Sequence, residues 1–278
     1  MRTSRFFFLP LLAAATLAQT AAAQRSNESW LEHCRRHNNR NNGEGRVTFC
    51  EVRESRIPAR GSLRVDGETN GGVSVRAHEG RDVIVRARVQ THARGDAAAR
   101  DLARGIRVST DGTIRATGPS STPRNQGWSV SYEILVPART DLDVETHNGP
   151  ISVERLAGDI NLRAHNGPIT LTELAGDVRA RAQNGPITVR LSGRRWSGEG
   201  LDAETVNGPI SIDMPRGYAA HLESGTVHGP ISAPSGIRPE RSNRNRWSPG
   251  GRINTDINGG GPTIRVVTTN GPVDIDEI

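Results

Sequence analysis

An 18-residue internal repeat constrains the fold of this chain more than any other feature of the sequence. Residues 141–158 read DLDVETHNGPISVERLAG, and residues 159–176 follow directly as DINLRAHNGPITLTELAG. A third unit starts at Asp177, and looser copies of the turn motif Asn-Gly-Pro-Ile continue toward residue 278. A unit this short cannot bury its apolar face by itself. The repeat therefore predicts that neighbouring units stack on one another.

Each repeat unit reads as strand, turn, strand, turn. Apolar residues alternate with polar ones, as at Leu142 and Val144, so each short run has one apolar face. The Asn-Gly pair predicts a tight turn with positive φ angles, and the following Pro begins the next strand because it cannot donate a ladder hydrogen bond. The predicted turn residues are Asn148, Gly149, Asn166, Gly167, Asn184, Gly185, Asn207, Gly208, Asn270 and Gly271.

Two architectures fit such a repeat. The favoured one is a parallel β-solenoid, a β-helix-like stack of two-strand coils of about 18–23 residues, with equivalent residues about 4.8 Å apart. Its apolar columns are Leu142/Ile160/Val178, Val144/Leu162/Ala180, Ile151/Ile169/Ile187 and Val153/Leu171/Val189. In this predicted solenoid, the side-chain amides of Asn148, Asn166 and Asn184 form a hydrogen-bonded ladder. The alternative is an antiparallel β-sandwich or meander, because Asn-Gly between alternating runs is also a hairpin signal.

The first half of the chain is less regular. An Asp at the start of residues 96–104 and Gly105 after them predict one short helix in an otherwise all-β protein. A content of 31 Gly and 16 Pro suits short strands joined by many turns. We expect four segments: a signal peptide at 1–23, a disulfide-closed segment at 24–56, an N-terminal β region with the helix at 57–140, and the repeat region at 141–278.

The N-terminus predicts export. Arg2 and Arg5 precede an apolar run, Phe6 to Ala18, and a site of small residues follows at 21–23. This is the pattern of a signal peptide, cleaved after Ala23. The run is too short to span a bilayer. We therefore expect a soluble periplasmic or extracellular protein without a transmembrane segment.

The two cysteines of the chain fit an oxidising compartment. Cys34 and Cys50 lie on either side of a polar stretch and predict a disulfide. A metal site that adds His33 and His37 is the alternative, but no C-x-x-C spacing supports it.

All 36 residues counted as Lys+Arg are Arg, against 30 acidic residues, for a formal net charge of +6. The lack of Lys excludes a P-loop lysine or a Schiff base. Aromatic residues make up only 4% of the chain, so base stacking and a nucleic-acid partner are not expected. Arg241, Arg244 and Arg246 lie in a polar stretch that predicts a solvated loop. Their guanidinium groups are suited to bind the carboxylates or phosphates of a polyanion. The alternative is that Arg merely serves as the solubilising cation.

The motifs described above resemble a known bacterial family. Val136-Pro137, the run DLDV at 141–144, the repeated Asn-Gly-x-Ile turns and the Leu-x-Gly spacers are similar to the putative-adhesin domain family of repeated short β-strands. The similarity covers residues 141–278, and an outlying turn at residues 70–73 extends it. The resemblance implies a β-solenoid-like fold, an exported or envelope-associated protein and an adhesive role. The family has no catalytic motif to carry over.

A column of aspartates could instead carry chemistry. Asp141, Asp159 and Asp177 are expected to accept backbone hydrogen bonds at the corner after Gly. A Ca²⁺ site, or a lyase or hydrolase groove on a β-helix, is the alternative. The sequence contains no G-x-S-x-G, H-E-x-x-H or G-x-G-x-x-G motif, so no enzyme is expected.

Histidines lie beside or within the turns, at His147, His165 and His228, where stacked rings could bind a transition metal. Gln183 and Val206 take the same place in later units, which favours a variable solvated position. No metal and no cofactor are therefore expected.

These observations predict an exported, non-enzymatic β-repeat protein that serves as an adhesin or as a binding or structural module of the cell envelope. A cell-surface glycan or another envelope component is the expected partner. The alternative is a carbohydrate-active enzyme, which requires a concave groove with clustered acids and Arg.

Overall fold

The computed structural model describes residues 27–32, 34, 46–120, 126–241 and 250–278. Within these residues it contains 21 strands and two helical segments, α1 at residues 27–32 and α2 at Asp96–Arg104. The strands are β1 Arg46–Pro58, β2 Ser62–Asp66, β3 Val73–His78, β4 Asp82–Arg94, β5 Arg107–Ser109, β6 Thr113–Thr117, β7 Gly127–Pro137, β8 Asp141–Asn148, β9 Ile151–Glu154, β10 Ala157–Asn166, β11 Ile169–Thr172, β12 Ala175–Asn184, β13 Ile187–Arg190, β14 Gly200–Asn207, β15 Ile210–Met214, β16 Ala220–His228, β17 Ile231–Ser232, β18 Glu240–Arg241, β19 Gly251–Ile257, β20 Thr263–Asn270 and β21 Val273–Glu277. No helix in this part of the chain is long and apolar enough to cross a membrane.

The strands form two sheets that share one apolar core. The 10-stranded sheet has the order β1-β4-β7-β3-β9-β11-β13-β15-β21-β17, and the 11-stranded sheet has the order β18-β19-β16-β20-β14-β12-β10-β8-β2-β6-β5. Alternation of polar and apolar residues turns one face of each strand inward, as at the buried Ile160 and Leu162 of β10. The inward side chains of both sheets belong to a single buried cluster.

The period of the repeat sets the pairing between neighbouring units. β10 pairs in parallel with β8 and β12, and β11 pairs in parallel with β9 and β13. The four expected columns are present in these registers: Leu142/Ile160/Val178, Val144/Leu162/Ala180, Ile151/Ile169/Ile187 and Val153/Leu171/Val189. Stacking equivalent residues keeps every apolar side chain on the buried face, because a slip of one residue would turn it to solvent.

The predicted parallel β-solenoid is nevertheless wrong as the fold class. Both sheets are mixed, since β1, β4 and β7 pair antiparallel in one sheet and β16, β19 and β18 do so in the other. Strand order also departs from chain order: β20 lies between β14 and β16, and β21 lies between β15 and β17. The antiparallel sandwich or meander is wrong as well, because the repeats pair in parallel. The all-β class and the short helix are confirmed.

The non-repeating segments explain the mixed sheets. A stack of repeats leaves apolar side chains uncovered at its ends, so terminal elements with a different sequence must cover them. At one end, α2 buries Ala99, Leu102 and Ala103. Arg53 of β1 donates hydrogen bonds to the carbonyls of Ala103 and Ile106, at 2.8 and 2.5 Å, and so ties β1 to the C-terminal end of α2.

The predicted disulfide between Cys34 and Cys50 is confirmed. It attaches residues beside α1 to the middle of β1, and the Arg88 guanidinium of β4 lies 5.7 Å from the Trp30 ring centroid. Residues 27–32 and Cys34 are thereby held against the antiparallel end of the 10-stranded sheet. The predicted signal peptide at 1–23 and the residues His33 and His37 lie outside the described part of the chain.

A buried hydroxyl in β16 leads to a first prediction. Ser224 is 2% exposed, lies beside Val266 and Ile253, and its Oγ has no hydrogen-bond partner among the described residues. We expect Ser224→Ala to raise the free energy of unfolding by about 1 kcal/mol, because a buried hydroxyl without a partner costs its desolvation free energy. Urea denaturation measures the change, and Ser152→Ala on an outer face is the control. A destabilised Ser224→Ala variant would contradict the prediction.

Candidate binding surface

Six asparagines form a ladder along the turns at one edge of the molecule. We call Asn70, Asn148, Asn166, Asn184, Asn207 and Asn270 the Asn ladder. Each Nδ2 donates to the Oδ1 of the preceding member, at 3.3, 2.8, 2.8, 2.9 and 2.9 Å in that order. The predicted amide ladder is therefore present and extends beyond the three residues expected. An amide has two N–H groups and two lone pairs, so a member bonded on both sides keeps one of each for another partner.

The glycine after each Asn serves a purpose that the sequence analysis did not predict. Gly149, Gly167, Gly185 and Gly208 are not in the positive-φ region, so the expected reason for the Asn-Gly pair is wrong. A Cβ on Gly167 would lie 2.3 Å from the carbonyl oxygen of Gly149 in the preceding repeat. Glycine is therefore required because the stacked turns approach one another too closely for a side chain.

Positive φ angles occur instead at the corner after the second strand of a repeat. Arg155 and Glu173 have φ of 56° and 55°, and Gly176 has φ of 100°. Non-glycine residues rarely adopt a positive φ angle, so an Arg or a Glu in the sequence does not predict a corner of this kind.

Buried threonine hydroxyls donate hydrogen bonds to the backbone of the turns. Thr146 donates to the carbonyl of Gly149 at 3.0 Å, and Thr205 donates to that of Gly185 at 2.9 Å. Two further threonines, Thr226 and Thr268, make equivalent bonds to turn carbonyls, at 2.8 Å each. Sequence reasoning missed these residues, although the recurring Thr-x-Asn-Gly and Thr-x-His-Gly motifs carry the signal. The hydroxyls satisfy buried carbonyls and hold the turns rigidly.

The side chains in the column next to the Asn ladder differ in type from one repeat to another. The rings of His147 and His165 are stacked, with centroids 4.5 Å apart and an interplanar angle of 7°. Val206 and Val227, at the equivalent positions of later strands, are 42% and 49% exposed. The described residues contain no group of three or more His, Cys, Asp or Glu side chains that could hold a metal ion. This column supplies a mixed polar and apolar surface beside the amides.

The aspartate column is held by its own neighbours. Asp141 accepts a hydrogen bond from the backbone N–H of Asp159 at 2.9 Å, as expected for a corner residue. Asp177 accepts from Arg179 at 2.7 Å, and the same Arg lies 3.7 Å from Asp159. These carboxylates therefore have partners within the protein.

A cleft of about 210 Å³ lies near the start of β2. Its lining residues are Ile57, Pro58, Ala59, Arg60, Gly61, Ser62, Leu63, Val83, Thr110, Asp111, Gly112 and Thr140. Asp111 is the one carboxylate in this lining. Glycoside hydrolases ordinarily use two carboxylates, so the lining of this cleft lacks the carboxylate pair of such a hydrolase.

Arginines on the outer face of the 11-stranded sheet are paired with acids. Arg163 lies 3.2 Å from Asp143, and Arg181 and Arg265 lie 2.5 and 2.6 Å from the two oxygens of Asp202. Pairing neutralises much of this face, which favours a solubilising role for these arginines. Of the proposed polyanion site, Arg244, Arg246 and the side chain of Arg241 lie outside the described residues.

The paired arginines lower one pKa. Burial by itself raises the pKa of Asp202, but hydrogen bonds and charge from Arg181 and Arg265 outweigh it and hold this pKa below its usual 3.8. The pairing therefore adds to the free energy of unfolding at pH values above the usual pKa of 3.8. This contribution is lost as the pH falls through the lower pKa that Asp202 has in the folded protein.

Asp202→Asn should therefore reduce the loss of stability on acidification. The variant lacks this titration, so its free energy of unfolding should fall less than that of the wild type between neutral pH and about pH 3. Urea denaturation at each pH measures the difference. Asp111→Asn is the matched control, because the Asp111 side chain is 94% exposed. Parallel pH profiles for wild type and Asp202→Asn would refute the assignment.

Comparison with known proteins gives only distant similarities. No family model and no curated protein matches the chain. A solved structure from Clostridium sporogenes, described as a putative cell adhesion protein, is 10% identical with a TM-score of 0.40, and the match covers 83% of this chain and all of that one. A putative adhesin from Bacteroides fragilis is 13% identical with a TM-score of 0.34, covering 83% and 97%. A putative lipid binding protein from Parabacteroides distasonis is 11% identical with a TM-score of 0.25, covering 84% and 98%. At these identities and TM-scores the similarities carry no argument about function.

Proposed function

We propose that this protein is an exported, non-enzymatic binding protein of the cell envelope, and that the Asn ladder binds a linear glycan. The observation that supports this proposal is the ladder itself. Six amides follow one another along the turns, each hydrogen-bonded to the next, and each inner member retains a free donor and a free acceptor. A polymer of hydroxylated units offers a matching series of acceptors and donors.

Rigidity supports the same proposal. The amides are fixed by one another, and the turns that carry them are fixed by the threonine hydroxyls below, such as Thr146 and Thr205. A surface that is already ordered loses little conformational entropy on binding. Several weak contacts along one rigid edge then add up for a ligand with a repeating structure.

Export is supported by two features. The disulfide between Cys34 and Cys50 is of the kind that persists in oxidising compartments. Residues 1–23 have the charge and apolar pattern of a signal peptide. We therefore propose that the mature protein begins after Ala23 and acts in the periplasm or at the cell surface.

The proposal is tested by binding of the mature protein to immobilised neutral and acidic envelope polysaccharides. The double variant Asn166→Ala/Asn184→Ala removes two central amides and should weaken binding by about 10-fold. Thr170→Ala/Thr188→Ala is the control, because these residues lie side by side on the outer face of the 10-stranded sheet in the same repeats. Circular dichroism checks that both variants are folded.

Two outcomes would overturn the proposal. One is unchanged binding in the Asn variant. The other is loss of binding only in the triple variant Arg241→Gln/Arg244→Gln/Arg246→Gln, together with a steep fall in wild-type affinity as salt is raised. That result would place the site on the Arg-rich segment and identify the ligand as a polyanion.

The ladder also contributes to stability. Asn166→Ala removes the bond it donates to Asn148 and the bond it accepts from Asn184, both 2.8 Å. We expect a loss of about 1 kcal/mol in the free energy of unfolding, since these bonds are exposed and compete with water. Urea denaturation measures it, with Gln183→Ala, at an exposed neighbouring position, as the control. Equal midpoints for the two variants would show that the ladder adds no stability.

A further inference from the structure

A row of prolines runs beside the Asn ladder. Five of the six ladder members are followed two residues later by a proline, and we call these prolines the Pro row. All of them are exposed except the last, which is half-buried. In spatial order the Pro row consists of Pro150, Pro168, Pro186, Pro209 and Pro272. The stacked turns therefore present two neighbouring rows, one of amides and one of pyrrolidine rings.

Backbone hydrogen bonds fix the spacing of the Pro row. The N–H of Ile151 donates to the carbonyl of Pro168 at 2.9 Å, and the N–H of Ile169 donates to the carbonyl of Pro186 at 3.0 Å. The same bond joins the other members to one another. Neighbouring rings are therefore separated by about 4.8 Å, the distance between adjacent strands of a sheet.

The Pro row is an apolar stripe. Proline has no backbone N–H, and the carbonyl of each member already accepts a hydrogen bond from the neighbouring turn. Neither the Pro row nor the Asn ladder contains an ionisable side chain. The two rows therefore combine an apolar stripe with a stripe of neutral amides, and neither stripe carries a charge.

Stacking of the turns by itself does not require proline. In the turn of Asn70 the equivalent residue is Gly72, whose carbonyl accepts a strand hydrogen bond from the N–H of Tyr132 at 2.8 Å. This turn still joins the ladder, because the amide of Asn148 donates to Asn70 at 3.3 Å. The exposed pyrrolidine rings in the other turns are therefore explained better by contact with a ligand.

The two rows together restrict the chemistry of that ligand. A polymer that covers both rows presents an apolar face beside a rim of hydrogen-bonding groups, repeated at about 4.8 Å. A pyranose ring with its bridging oxygen has about this length. When the linkages are equatorial, the C–H groups lie on the faces of the chain and the hydroxyls lie at its rims. An extended peptide repeats the side chains of one face only every 6.6 Å or so, at about twice its rise per residue, and does not match.

We propose that the Pro row completes the binding site and that the ligand is a neutral, ribbon-shaped glycan with equatorial linkages. One C–H face of the ribbon covers the pyrrolidine rings, and the hydroxyls of one rim bond to the amides of the Asn ladder. Axial linkages coil a glycan, so that only a short stretch contacts both rows. This inference rests on the proposed function, because it places the glycan on the same ladder.

The test measures binding of the mature protein, with its disulfide intact, to soluble oligosaccharides of equal length by calorimetry. Cellohexaose has equatorial linkages and should bind at least about 10-fold more tightly than maltohexaose, which has the same sugar but an axial bond in each linkage. High salt should leave the affinity for cellohexaose unchanged, because the two rows carry no charge that salt can screen.

Variants of the Pro row test its contribution. Pro168→Ala/Pro186→Ala removes two central rings and should weaken the binding of cellohexaose by about 10-fold, because apolar contact is lost. Pro168→Val/Pro186→Val keeps apolar groups there without the fixed φ of proline, and should retain the affinity within about 3-fold. Pro215→Ala is the control, because Pro215 follows β15 at the end of the strand away from the Pro row. Circular dichroism checks that all three variants are folded.

Several outcomes would overturn this inference. Unchanged binding in the Ala variant is one, and equal weakening in the Ala and Val variants is another, because the prolines then act through the conformation of the turn. Failure to bind cellohexaose, equal affinity for maltohexaose, or loss of binding in high salt would overturn it as well. In each case, weaker binding of polysaccharide by Asn166→Ala/Asn184→Ala leaves the proposed function intact, whereas unchanged binding in that variant overturns both.

Discussion

Gly167→Ala should destabilise the protein by more than about 3 kcal/mol. The new Cβ would lie 2.3 Å from the carbonyl oxygen of Gly149 and 2.7 Å from its carbon. Both atoms belong to the backbone of a paired repeat, so the clash cannot be relieved by rotating a side chain. The strands on both sides of the turn would have to separate, which weakens their ladder hydrogen bonds.

Chemical denaturation followed by circular dichroism measures this effect. Gly225→Ala is the control, because Gly225 in β16, like Gly167, has no positive φ angle, but a Cβ there would meet its nearest neighbours only at 3.8 and 3.9 Å. That substitution should be neutral or slightly stabilising, since Ala loses less conformational entropy than Gly on folding. Similar midpoints for Gly167→Ala and the wild type would show that the repeats are not stacked as closely as the structure indicates.

Ile169→Ala should cost about 2–4 kcal/mol in the free energy of unfolding. Ile169 is 0% exposed and lies between Ile151 and Ile187 in the central column of the 10-stranded sheet. Truncation removes buried methyl groups and leaves a cavity, and the neighbouring strands cannot close it because their spacing is set by backbone hydrogen bonds.

Urea denaturation measures the free energy of unfolding of Ile169→Ala and of Thr170→Ala, its neighbour in the same strand. The comparison separates the effect of lost burial from the effect of a lower strand propensity. Thr170 is on the opposite, outer face of the same strand, so its truncation should change stability by no more than about 0.5 kcal/mol. Equal losses in the two variants would contradict the assignment of Ile169 to the core.

Local structure in the repeat region was predictable because it repeats. An identical spacing of apolar residues in consecutive units leaves one register in which every apolar side chain is buried, as for Ile151, Ile169 and Ile187. The same spacing brings the Asn side chains to hydrogen-bonding distance. The helix at Asp96–Arg104 and the pair Cys34–Cys50 depend on short-range signals and were also predictable.

The turn shows where sequence reasoning reached the right residues for the wrong reason. Asn-Gly suggested positive φ, a property of a single chain segment. The structure instead requires Gly at 149 and 167 because the backbone of the preceding turn lies against each of them. That requirement exists only after the repeats have stacked, so no analysis of one turn in isolation could detect it.

The sequence by itself determined the all-β class, the strands of each repeat and the facing of their side chains, and it favoured the parallel register between consecutive units. These follow from a spacing that the chain repeats and from the need to bury one face of every strand. Only the tertiary structure decided that both sheets are mixed and that β20 lies between β14 and β16. Such choices depend on which uncovered edge a distant segment reaches, and many pairings bury similar apolar area, so the alternation within a segment does not distinguish them.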